Sequence, residues 1–119
     1  MTNKEFAKEL EVRTKKFAVN IIMLSASLPS TPEGKVIRNQ ITKSGTSIGA
    51  NYREANRLGS AAVFAYKIKI CTSEASETAY WLEIISELGW IDSEKSEIDL
   101  KEANELLAIF TSIGKNLKK

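Results

Sequence analysis

A chain of 119 residues, 43% hydrophobic and 27% charged, has the size and composition of one soluble globular domain spanning 1–119, long enough to bury a core. It has no histidine and one cysteine, Cys71. Serine–histidine and cysteine–histidine catalysis, histidine-ligated zinc, the Glu-x-x-His di-iron bundle and an internal disulfide are therefore excluded. The net charge of +2 conceals a segregation: between Lys35 and Ser73 the only acid is Glu54, and between Glu74 and Glu105 the only bases are Lys95 and Lys101.

No apolar run approaches the roughly 20 residues that cross a bilayer. The start, MTNKEFAKELEVRTKK, is charged and amphipathic and lacks the apolar centre of a signal peptide. With its lone thiol, the chain reads as a cytoplasmic protein with no membrane contact.

Four segments carry helical periodicity, and none shows sustained two-residue alternation. The first helix is predicted from about Lys4 to Leu28, with Thr2 and Glu5 as a capping box and Phe6, Leu10, Arg13, Phe17, Ile21, Leu24 and Leu28 as its apolar-side line. Thr31 then caps a second helix with Pro32 in its first turn, and the line runs through Ile37, Ile41, Ser44, Ile48, Asn51, Ala55 and Leu58 to Gly59. Ser60 caps a third, with Phe64, Ile68, Cys71, Ala75, Thr78, Leu82 and Ile85 on one stripe and Val63, Ile70, Glu74, Glu77, Trp81, Ile84 and Leu88 on the next; Gly89 ends it. Asp92 or Ser93 opens a fourth, with Leu100, Ala103, Leu107, Phe110 and Leu117 in line and Leu106, Ile109 and Ile113 beside them.

Four helices on short loops fold back antiparallel, so the expected architecture is all-α, an up-and-down antiparallel four-helix bundle. The third helix has more apolar face than one seam needs. Tyr80, Trp81 and Trp90 would cover it within one bundle, and a closed homo-oligomer would cover it equally well.

The second helix contains KSGTSIGANYRE, Lys43 to Glu54, in which Gly45 and Gly49 stand on one face among Ser44, Ser47 and Ala50. Each glycine costs a helix roughly 1 kcal/mol against alanine, which fits close approach of a neighbouring backbone. The competing reading, a phosphate-cradling loop, lacks the P-loop lysine pattern and a preceding strand. Arg13, Asn51, Glu74 and Glu77 fall on otherwise apolar lines, and Glu54 lies beside one. Carboxylates there demand partners, expected among Arg13, Arg53 and one another. One reading of Glu54, Glu74 and Glu77 is a metal or acid–base cluster. The other is a polar network that sets helix register, and the absence of histidine favours it. Cys71 reads as a small core residue. No catalytic residue, metal or cofactor is expected.

In an up-and-down bundle Arg53, Arg57, Lys67 and Lys69 gather at one end with Lys4, Lys8, Lys115, Lys118 and Lys119, while Glu83, Glu87, Asp92, Glu94, Glu97 and Asp99 gather at the other. A basic end is the electrostatic footprint of phosphate binding, so those first four residues are candidates for contact with RNA or DNA. The alternative is that the charges serve assembly of a protein–protein scaffold.

TSIGANYREA (Thr46 to Ala55), the stretch Phe64 to Ile70, and EASETAYWLE (Glu74 to Glu83) resemble the bacterial four-helix proteins named after the 23S rRNA intervening sequence. The resemblance runs over nearly the whole chain. It implies a left-handed up-and-down bundle assembled as a homopentamer, with no catalytic residues. A related branch serves as the accessory protein of diversity-generating reverse transcriptases, so the resemblance also implies nucleic acid, or a partner protein such as a reverse transcriptase, as partners.

Overall fold

The computed structural model describes residues 2–117 and consists of four α-helices in chain order: α1 Asn3–Ala26, α2 Pro32–Arg57, α3 Ala61–Leu88 and α4 Ser93–Leu117. They run up and down as a bundle 44 × 25 × 22 Å. None is long and apolar enough to cross a membrane.

The helix starts follow from local chemistry. The hydroxyls of Thr2, Thr31 and Ser60 accept from the amides of Glu5, Gly34 and Val63, which gives each first turn an acceptor for a donor that has no intrahelical partner. The Asp92 carbonyl accepts from the Ser96 amide at the start of α4. The ends differ more. Gly89 closes α3 at φ 66°, in the left-handed region that glycine enters without a Cβ penalty. α1 ends at Ala26, two residues before the predicted Leu28, because Ser27 turns its amide and hydroxyl back onto the Leu24 carbonyl. Arg38 of α2 completes that end, donating from Nε to the Ser25 carbonyl at 3.1 Å and from Nη2 to the Leu28 carbonyl at 2.8 Å. So Arg38 seals the α1–α2 corner.

The core holds Leu10, Phe17, Ile21, Leu24, Ile41, Ile48, Ile68, Leu82, Ile85, Leu106 and Phe110, among others. The α3 stripe from Ile68 to Ile85 is buried as its spacing predicts. On α2 the predicted line drifts: Tyr52, not Asn51, enters the core and meets the Phe110 ring edge-on at 5.4 Å between centroids, while Leu58 stays exposed. On α1, Thr14 is buried where the line named its neighbour Arg13, its hydroxyl donating back to the Leu10 carbonyl at 2.9 Å. Both slips come from a 3.6-residue turn read in steps of three and four, which leaves adjacent positions competing for one slot. Trp81 and Trp90 pack half-buried on the core, and Tyr80, largely exposed, lies edge-on to Trp81.

The helices form a ring that is well closed between α1 and α2, α2 and α3, and α3 and α4, and thin between α4 and α1. Gly45 and Gly49 set the first of these contacts. A Cβ at 45 would lie 2.7 Å from Ile21 Cγ2, and one at 49 would lie 3.0 Å from Thr14 Oγ1. Between α2 and α3 the hydroxyls of Ser44 and Thr78 sit 2.9 Å apart, a fully buried polar pair that satisfies itself across the seam.

Candidate nucleic-acid interface

The antiparallel order brings the carboxyl end of α2, the amino end of α3, the amino end of α1 and the carboxyl end of α4 to one end of the bundle. Lys4, Lys8, Arg53, Arg57, Lys67, Lys69 and Lys115 belong to that end; Lys118 and Lys119 lie outside the described residues. The four candidate phosphate ligands share the end but not a face. They point into three different seams.

Arg53 and Arg57, one turn apart on α2, both turn to Glu11 of α1. Arg57 Nη1 donates to Oε1 at 3.2 Å and Arg53 Nε stands 3.8 Å from the same oxygen, while Asn56 Nδ2 donates to Oε2 at 2.9 Å. Glu11 is thus half-buried under two hydrogen-bond donors and a second arginine at ion-pair distance, and both arginines keep more than half of their side-chain surface in solvent. Lys67 faces the α2–α3 seam and donates to Glu54 Oε1 at 2.7 Å and to Asn51 Oδ1 at 3.4 Å. Lys69, two residues on, emerges on the opposite side, toward α4. Among the described residues it has no ion pair. The sequence did not single out Glu11, because nothing within one helix turn marks it as the acid that collects two arginines from another helix.

The residues read as one polar network separate into three. Arg13 is directed at α4, where Nε donates to Glu102 Oε2 at 2.7 Å and Nη2 to Glu102 Oε1 at 2.6 Å and to Glu105 Oε1 at 2.9 Å. Donating to the Glu102 carboxylate raises the guanidinium pKa further above its ordinary value. Asn51 and Glu54 share Lys67, as above. Glu74 and Glu77 form the third group: Glu77 accepts from Trp81 Nε1 at 3.1 Å. Partial burial, with the nearby Glu77 charge, pushes the Glu74 carboxyl above its usual range. The pairing expected of Glu54, Glu74 and Glu77 with Arg13 or Arg53 is therefore not formed: Glu54 takes Lys67, Glu77 takes Trp81, and Arg13 takes the α4 carboxylates. Among the described residues no group of three or more histidine, cysteine or acidic side chains is arranged to hold a metal. Cys71 is buried with its thiol donating toward the Ile48 carbonyl at 3.4 Å, and burial pushes its pKa up to about 12.

A family model described as "23S rRNA-intervening sequence protein" matches residues 8–112. The chain belongs to that family. Among solved structures it is similar to a crystal structure from Bacteroides thetaiotaomicron, described as a protein of unknown function from the S23 ribosomal protein family. That likeness has 38% identity and a TM-score of 0.81, and covers 88% of this chain and 97% of the other. No curated protein matches. Family membership extends from α1 into α4, so the close α1–α2 contact at Gly45 and Gly49, the Glu11 hub and the Arg13 fork all lie within the matched region.

Proposed function

We propose that this family member acts without catalysis, as a cytoplasmic homo-oligomeric accessory protein that carries nucleic-acid phosphates on its basic end. The observation that carries the reading is the pair Arg53 and Arg57, held one turn apart over Glu11 with more than half of each side chain in water. A guanidinium has five donors in a fixed fork, so one already bound to a carboxylate still presents donors to a phosphate. The half-buried Glu11 limits their rotamer freedom and so lowers the entropy lost when they engage a strand. The descriptions of the family and of the Bacteroides protein, one naming rRNA and the other a ribosomal protein family, support the same direction. By resemblance the assembly is a pentamer, which would repeat the basic end around an axis, and a protein partner would be of the reverse-transcriptase class.

The test is fluorescence anisotropy of a labelled structured RNA titrated with protein at low and near-physiological salt. Binding should weaken steeply with salt, and the double variant Arg53→Gln/Arg57→Gln should lower the salt slope by roughly one to two, one unit per lost phosphate contact. Analytical ultracentrifugation of both proteins reports whether the oligomer survives. If the variant dissociates, the arginines hold the assembly and the assignment fails.

A protein–protein scaffold is the second reading. The observation favouring it is a line of exposed apolar side chains, Val12, Val19 and Met23, on the outer face of α1. Absence of salt-sensitive RNA binding at micromolar protein would decide for the scaffold.

A further inference from the structure

Between the amino-terminal half of α3 and the carboxy-terminal half of α4 lies a groove of about 650 Å³. Its floor is apolar, with Ile68 and Phe110 buried beneath it. Tyr66, 63% exposed, stands on its rim with Lys69 and Lys115. Among the described residues no carboxylate lines it, whereas the hollows that contain Arg13 and Arg53 both include glutamates. Neither lysine has an ion-pair partner among the described residues.

Gly114 is the residue that leaves the groove open. Unlike Gly45, it faces no close neighbour: a Cβ there would meet only Ile68 Cγ2, at an ordinary 3.9 Å. A helical glycine costs roughly 1 kcal/mol relative to alanine. At Gly45 close packing accounts for that cost; at Gly114 no contact does. What the glycine provides is depth beside an exposed aromatic ring.

An apolar slot, a flat ring and unpaired cations without acids are the parts with which proteins hold unpaired bases and their flanking phosphates. We infer that this groove receives a base of single-stranded nucleic acid, stacked on Tyr66, with Lys69 and Lys115 on the adjoining phosphates. The inference rests on the nucleic-acid reading above and sharpens it. Arg53 and Arg57 supply sequence-independent attraction from another face of the same end, and the α3–α4 groove selects strands whose bases are unstacked. An acidic peptide segment would satisfy the lysines but has no use for the ring.

The experiment uses a short oligonucleotide carrying 2-aminopurine, as RNA and as DNA, single-stranded and annealed to its complement. The full chain should prefer the single strand and change the 2-aminopurine fluorescence on binding. Tyr66→Ala, at an exposed position where folding is indifferent, should weaken binding by about tenfold or more, and Tyr66→Trp should restore it. Gly114→Leu, which fills the slot, should weaken it as well, with the circular dichroism of both variants unchanged. If Tyr66→Ala and Gly114→Leu bind like the parent while Arg53→Gln/Arg57→Gln weakens binding, the groove inference is wrong and the basic-end reading stands. If no strand binds at low salt, both fall. Direct binding of a labelled glutamate-rich peptide that is lost in Lys69→Gln/Lys115→Gln but kept in Tyr66→Ala, with no oligonucleotide binding, would assign the groove to a protein partner and overturn the inference.

Discussion

Arg13 and Glu102, 89 residues apart, meet as a two-bonded fork at 2.7 and 2.6 Å across the thin seam between α1 and α4. The other three seams are closely packed, but here a polar clamp spans a gap that the side chains do not fill. Because both partners keep part of their surface in water, solvent screens the attraction. Replacing Arg13 with methionine, which keeps most of the stem, should destabilise the bundle by roughly 1 kcal/mol in urea unfolding. The loss should shrink in 1 M NaCl, and hydrogen exchange should quicken in α1 and α4 more than in α2 and α3. An unchanged urea midpoint would mean that apolar contacts alone close the ring.

Glycine-to-alanine substitutions should change sign along the molecule. Gly45→Ala puts a methyl 2.7 Å from Ile21 Cγ2 and should cost about 1–3 kcal/mol by overpacking, despite the gain in helix propensity. Gly114→Ala meets only open groove and should stabilise by roughly 0.5–1 kcal/mol. Gly34→Ala should be the most severe, since its Cβ would collide with the Pro29 carbonyl oxygen, which is backbone. Thermal melts of the three variants rank them, and a stabilised Gly45→Ala would contradict the close-contact account.

Glu74 should make the protein less stable as pH rises through the carboxylate range. Partial burial, with the Glu77 charge nearby, raises its pKa in the folded state, so between the unfolded and folded values the native protein holds the proton more tightly. Stability is then lost on deprotonation: the cost is absent well below the ordinary carboxylate value and fully present once the folded group has ionised. Glu74→Gln should match the parent near pH 4 after allowing for its own offset, and gain on it by pH 7. Urea midpoints at the two pH values read the difference directly.

Cys71 should behave as an inert core thiol. With its pKa near 12 and its hydrogen turned toward the Ile48 carbonyl, almost no thiolate is present at neutral pH. A chromogenic disulfide reagent should leave the native protein unmodified and label it stoichiometrically in urea. Rapid labelling without denaturant would show that the α2–α3 seam opens.

The helix count, the caps at Thr2, Thr31 and Ser60, and the left-handed stop at Gly89 were all legible in the chain. The buried α3 stripe was legible as well. Each depends on residues within one turn or on a period that a single helix repeats. Pairing was a different matter. Glu11 collects an asparagine and two arginines from α2, more than forty positions away, and Arg13 chooses α4 over the glutamates of α3.

The small-residue face at Gly45 and Gly49 announced a close contact, but the tertiary structure chose Ile21 and Thr14 as its occupants. It likewise chose Tyr52 over Asn51 for the core, and opened the groove beside Tyr66 by setting Gly114 opposite Ile68. The physical reason is the same each time. Helix formation is decided by hydrogen bonds three or four residues apart, and sequence shows those. Which side chains face each other depends on the rotation and offset of whole helices, which only the packed core sets.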